Sequence, residues 1–129
     1  MTMKKLLIMA MMLMGIITTA TAQNQAEIKF EKITQDLGTF SEKDGVRQAT
    51  FTFTNVGQAP LVINQVVASC GCTVPKYEKK PVAPGQQGTI QVTYNGKGKF
   101  PGHFKKSITV RTNGKTEMTR LYIEGDMTE

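Results

Sequence analysis

The chain of 129 residues carries two cysteines, Cys70 and Cys72, in the string Ala68-Ser69-Cys70-Gly71-Cys72-Thr73, and one histidine, His103. In an extended strand, residues two apart point to one face with their Cα atoms about 6.6 Å apart, near the upper limit for an unstrained disulfide. A bridge therefore requires a kink, which Gly71 permits because glycine reaches positive φ at no steric cost. Three chemistries stay open for the pair. The first is a local disulfide, or two thiols that merely end a strand; an exported chain would favour oxidation. The second is a redox-active pair, since strained bridges have more oxidising potentials. The third is a soft-metal site, because two thiolates on one face suit Cu(I) or Zn(II). His103 is then the one imidazole able to join them, although a histidine in a Pro101-Gly102-His103 turn is ordinarily plain surface.

Lysines cluster at Lys76, Lys79 and Lys80, at Lys97 and Lys99, and at Lys105 and Lys106. The first five define an expected patch for an anionic partner such as a glycan, a lipid head group or an acidic protein. The same charges also suit a solvated loop surface that keeps sheet edges from pairing. For catalysis the sequence offers no nucleophile elbow, no phosphate-binding loop and no metalloprotease helix, and its single histidine has no recognisable serine or aspartate partner. The expectation is a protein that is not an enzyme and needs no cofactor, with copper or zinc at the cysteines as the exception.

The N-terminus sets the expected compartment. Lys4 and Lys5 lead into an uninterrupted apolar run, Leu6 to Ile17, of 12 residues. That is the layout of a secretory signal, and it is shorter than the roughly 20 residues a membrane-crossing helix needs. Small residues, Ala20 and Ala22, stand at minus three and minus one for cleavage before Gln23. The sequence thus predicts a signal peptide over 1–22 and one mature domain over 23–129, periplasmic or secreted. Gln23 stands where a lipid-anchored protein would carry cysteine. Without Lys4 and Lys5, 14 basic residues face 10 acidic ones, a net charge of +4. Six of the eight methionines also fall in the leader, so methionine richness says nothing about copper. Export argues against a nucleic-acid partner.

The elements that must position these groups show in the spacing of turn signals. Asp44-Gly45, Asn55-Val56-Gly57, Ala83-Pro84-Gly85, Asn95-Gly96 and Asn113-Gly114 punctuate the chain, and glycine and asparagine favour turns because they tolerate positive φ. Between them, Ala49, Phe51 and Phe53 alternate with threonines, as do Ile90, Val92 and Tyr94 with Thr89, Gln91 and Thr93; Ile108 and Val110 alternate with Ser107, Thr109 and Arg111. Period two of this kind marks strands with one buried face. Leu61 and Ile63 are in phase, and Val66 and Ala68 slip out of it, as a β-bulge would make them do. After Asn113-Gly114 the chain returns with Thr119, Leu121 and Ile123 on one face. Further strands are expected near Glu27 to Phe30 and Asp36 to Phe40, giving about seven in all. The predicted core is Phe30, Phe51, Phe53, Leu61, Ile63, Ile90, Val92, Ile108, Val110, Leu121 and Ile123. At roughly 1.5–3 kcal/mol for each such side chain fully buried, the fold needs neither metal nor disulfide. The expected class is an all-β, immunoglobulin-like antiparallel sandwich. Immunoglobulin domains proper bridge cysteines from different strands beside a core tryptophan, whereas this chain has no tryptophan.

The strings Phe51-Thr52-Phe53-Thr54-Asn55-Val56-Gly57, Ala59-Pro60-Leu61-Val62-Ile63, Ala68-Ser69-Cys70-Gly71-Cys72-Thr73-Val74-Pro75, Ala83-Pro84-Gly85 and Val92-Thr93-Tyr94-Asn95 follow one another in an order that resembles the bacterial domain of unknown function 1573 family. The resemblance runs from about Ile28 to Gly125. It implies a sandwich akin to the Hydin and sperm-protein type of domain, exported by bacteria with an outer membrane, and it implies no assigned activity. His103 after Pro101-Gly102 departs from the expected pattern. The leading expectation is a non-enzymatic module that binds a protein or glycan of the cell envelope, of undetermined oligomeric state. The alternative is a periplasmic thiol protein using Cys70 and Cys72 for disulfide exchange or copper binding.

Overall fold

The computed structural model describes residues 24–129. The signal peptide expected over 1–22, and its cleavage before Gln23, lie outside the described residues. Eight strands follow in chain order: β1 (Ile28–Phe30), β2 (Thr34–Ser41), β3 (Val46–Asn55), β4 (Ile63–Ala68), β5 (Thr73–Tyr77), β6 (Gln87–Asn95), β7 (Gly102–Thr112) and β8 (Met118–Thr128). They form two four-stranded sheets, ordered β1-β3-β6-β5 and β2-β8-β7-β4. The turn signals read from the sequence fall at strand ends or between strands, Asn55 and Asn95 being the last residues of β3 and β6.

The phenylalanine–threonine alternation becomes β3, and Phe51 opposes Ile90 while Ala49 opposes Val92, so two apolar rows from β3 and β6 meet on one face. In the facing sheet, Ile108 opposes Leu121 on the inner side. Phe51, Leu61, Ile90, Ile108, Val110, Leu121 and Ile123 are fully enclosed. Of the predicted core only Phe30 is half-buried; it stands edge-on to Phe53 at 5.7 Å between ring centroids. Ala26, Ile28, Phe40, Ala49, Tyr94 and Met127 join the core beyond the predicted set. The predicted slip in β4 is real: pairing with β7 shifts between Ile63 and Gln65.

Two expectations need correction. About seven strands are expected and eight form, because β5 includes Pro75, a residue that ordinarily argues against a strand. On an edge strand, however, a proline is harmless where its missing N–H faces outward. The Asn95 N–H donates to the Cys72 carbonyl, so even-numbered positions of the segment face β6 and Pro75 faces away. The sandwich is also not wholly antiparallel, because β2 pairs with β8 in parallel. After β1 the chain crosses to the other sheet without reversing, and Tyr122 N–H donates to the Ile33 carbonyl at 2.7 Å as the new pairing begins. Among the described residues no helix is long and apolar enough to cross a membrane.

Candidate functional site

Cys70 and Cys72 lie in the turn that carries the chain from β4, the edge of one sheet, to β5, the edge of the other. They are joined as a disulfide with Cα atoms 5.1 Å apart, closer than an extended segment allows. Backbone bonds fix the turn at both ends. Ser69 N–H donates to the Ser107 carbonyl at 2.9 Å, Asn95 N–H donates to the Cys72 carbonyl at 2.8 Å, and Thr73 N–H closes back on the Cys70 carbonyl at 3.1 Å. The Ser69 hydroxyl accepts from the Ser107 N–H. One amide points at sulfur: Cys72 N–H donates to Cys70 Sγ at 3.1 Å. Cys72 packs against the core, and its sulfur lies 3.7 Å from the Thr73 hydroxyl.

Gly71 does not work as expected. Among the described residues the glycines with positive φ are Gly38, Gly85, Gly98 and Gly102, so the kink forms in a conformation open to any residue. A Cβ at Gly71 would meet nothing within 4 Å. Neither backbone conformation nor close packing asks for glycine there. The bridge itself is a weak staple: closing a three-residue loop is worth about 1.6 kcal/mol of chain entropy, against about 4.7 for a loop of 100 residues.

The other predicted groups do not converge on the sulfurs. His103, on β7, faces Asp126 across the pairing of β7 with β8. Its Nδ1 is 3.0 Å from Asp126 Oδ1 and its Nε2 3.7 Å from Glu124 Oε2, on an exposed surface. Ser107, which anchors the cysteine turn, is four residues further along the strand, a rise of about 13 Å. The set Cys70, Cys72 and His103 is therefore not assembled, and the bridged sulfurs offer no thiolate. Among the described residues no group of three or more His, Cys, Asp or Glu side chains could hold a metal ion.

The lysine patch also divides. Lys97 and Lys99 follow the end of β6, whereas Lys79 and Lys80 follow β5, whose Tyr77 opposes Ile90 near the start of β6. The two pairs stand most of a nine-residue strand apart, some 25 Å. Lys76 lies between them on β5, opposite Gln91. Lys80 instead borders a shallow cavity of about 560 Å³ with Glu78, Pro81, Val82 and Phe53. Lys105 is taken up by an aromatic face, its Nζ 4.8 Å from the centre of the Tyr122 ring.

A feature that sequence periodicity could not reveal lies beside the bridge. β4 ends at Ala68, opposite Ile108, but β7 begins six residues earlier at Gly102. Ser107 uses its carbonyl toward the β4 side, and the pairing of β7 with β8 runs from Gly102 to Arg111 without a shift. Backbone groups alternate sides along a strand, so His103 and Lys105 direct theirs to the same side, past the end of β4. Below this stretch the inner face is aromatic: Phe104 stacks on Tyr94 at 4.2 Å between centroids, and Phe40 stands edge-on to both. Burial pushes the Tyr94 hydroxyl pKa above its ordinary value. Phe100, in the turn leading into β7, is 97% exposed.

The family described as a protein of unknown function, DUF1573, matches residues 28–127. The chain belongs to this family. The DUF1573 match includes the cysteine turn and the whole of β7 and ends just short of the last residue of β8. No curated protein matches the chain in sequence. Among solved structures, a protein of unknown function from Porphyromonas gingivalis superposes with a TM-score of 0.69 at 16% identity, over 83% of this chain and 50% of that one. The DUF1573 chain thus spans half the length of that relative. The PapD-like domain 7 of human CEP192 gives 0.65 at 10% identity, over 86% of this chain and 92% of that one. The periplasmic chaperone SfaE gives 0.63 at 9% identity, over 80% and 59%. At these identities the likeness establishes the fold alone, an immunoglobulin-like sandwich.

Proposed function

We propose that this DUF1573 chain is an exported, non-enzymatic interaction module that takes an extended segment of another envelope protein along the open edge of β7. The observation that carries the reading is the pair of backbone positions, His103 and Lys105, left facing solvent where β4 stops short. A strand with unpaired N–H and C=O groups is a template for another chain, and side chains flanking it select the partner. Here Lys97 and Lys99 lead into the edge, which favours an acidic segment. A protein segment fits this edge better than a glycan, because only a polypeptide repeats donor and acceptor at the spacing of a strand. Export rests on the leader read from residues 1–22, and the periplasmic chaperone SfaE gives a precedent for such a sandwich in that compartment.

Proline at position 105 tests the reading. Lys105→Pro removes an N–H that faces the open edge and leaves the bonds to β8 intact. A partner captured from envelope extract by the wild-type chain is expected to bind this variant at least about tenfold more weakly, the worth of one to two hydrogen bonds. Equal affinity in a variant with an unchanged circular dichroism spectrum would place the binding surface elsewhere.

A further inference from the structure

We propose that Cys70 and Cys72 are a thiol–disulfide exchange pair, in which Cys70 carries the partner's sulfur in the mixed disulfide and Cys72 resolves it. The inference stands apart from strand binding, since it requires no docked segment.

The placement of the bridge argues first. A structural disulfide ties elements distant in sequence, but this one joins residues two apart. The turn it spans is already fixed to β7 through Ser69 and to β6 through Cys72. Removing the covalent bond therefore leaves both anchors in place, and the turn can open and close without dismantling a sheet.

The asymmetry of the two sulfurs argues next. Both cysteines are partly buried, but Cys72 packs against the apolar core whereas Cys70 is not part of that packing, so Cys70 is the sulfur that an incoming thiolate can reach without displacing core contacts. In the reduced state the Cys72 N–H, 3.1 Å from Cys70 Sγ, is placed to receive the charge of a Cys70 thiolate. Hydrogen bonds to a charged form favour it, and the thiolate is the reacting species. Access and electrostatics thus choose the same sulfur. Gly71 completes the arrangement: with nothing within 4 Å of its Cβ position, it leaves the approach to the bridge uncovered, which is the one role found for a glycine there.

The partner is a dithiol, on a protein or a small molecule. Its thiolate attacks Cys70 Sγ, the Cys70–Cys72 bond breaks, and the electron pair leaves on Cys72, which takes a proton from solvent while its sulfur lies 3.7 Å from the Thr73 hydroxyl. The partner's second thiolate then attacks its own sulfur in the mixed disulfide and releases Cys70 as a thiolate held by the Cys72 amide. The partner is oxidised to a disulfide and the chain is reduced to a dithiol, two electrons in all; the reverse sequence, from chain dithiol and partner disulfide, passes through the same mixed species.

Single-cysteine variants of the mature chain and glutathione disulfide supply the test. Cys72→Ser is expected to accumulate a stable glutathione adduct on Cys70, read by intact mass, at least about tenfold faster than Cys70→Ser accumulates one on Cys72. Equal rates would overturn the assignment of Cys70. Gly71→Val keeps the bridge in a folded chain and addresses access directly: its reduction by dithiothreitol should slow at least about fivefold with an unchanged melting temperature. Reduction as fast as wild type, or a wild-type bridge that yields to dithiothreitol only once the chain unfolds, would sink the proposal.

Discussion

Two reversals of the chain, at Asn55–Gln58 and at Ser69–Cys72, each fold a side chain back on nearby backbone amides, yet their surroundings are opposite. They sit at the two ends of β6, which starts beside Asn55 and finishes at Asn95, bonded to Cys72. Asn55 is fully buried. Its Oδ1 accepts from the N–H groups of Glu27 and Gly57, and its Nδ2 donates to the carbonyls of Ala59 and Val82 at 2.8 and 2.9 Å. A Cβ on Gly57 would lie 2.3 Å from the Gln25 carbonyl oxygen, whereas a Cβ on Gly71 would touch nothing. One turn is a closed polar knot holding the N-terminal segment, β3 and the β5–β6 connection together. The other is a bridged loop open to solvent. Buried polar groups hold a fold only when every member is satisfied, and binding or exchange needs groups that are accessible. The closed polar turn and the turn proposed for exchange thus stand at opposite ends of the same strand.

The comparison breaks most sharply at Asn55. Asn55→Ala strips two amides and two carbonyls of a shared partner in a site closed to water, and the expected loss is about 3–5 kcal/mol. Urea unfolding monitored by tyrosine fluorescence measures it. A loss below about 1 kcal/mol would mean that water reaches the turn and that the two ends are enclosed alike.

At the other end the expected cost is smaller. The double variant Cys70→Ser, Cys72→Ser loses the closure of a three-residue loop, about 1–2 kcal/mol, and keeps the anchors at Ser107 and Asn95. The same urea experiment should therefore rank it well below Asn55→Ala. If the order reversed, the bridge would be a staple, and its openness to solvent would carry no functional meaning.

How much of this was legible in the sequence differs between the two ends. Asn55-Val56-Gly57 announces a turn, and the flanking Phe51, Phe53 and Leu61 announce the strands it joins, because local periodicity and turn chemistry coincide there. The family resemblance held over nearly the whole matched region. What period-two patterning does not encode is where one strand ends relative to its neighbour. The free edge of β7 arises because β4 stops at Ala68, a fact of pairing rather than of composition. Pro75 concealed β5 because which side of a strand faces an edge is settled only by the fold. Gly71 suggested a left-handed kink, but the backbone turns without one. The lysines clustered in sequence separate in space because a nine-residue strand lies between Lys80 and Lys97.

The smallest effect sharpens the comparison from inside the sandwich. Tyr94 opposes Thr73, directly after the bridge, and is buried against Phe104, with burial raising its hydroxyl pKa. A phenol whose pKa is higher in the folded than in the unfolded chain contributes stability that is intact below about pH 10. It is lost as pH rises, because unfolding then releases a proton. Wild-type stability should thus fall more steeply than that of Tyr94→Phe between about pH 9.5 and 11, with the two curves parallel at pH 7 to 9. Parallel curves throughout would mean that the phenol is as well solvated folded as unfolded. The open character of the cysteine end would then reach down into its aromatic floor, rather than stopping at the turn.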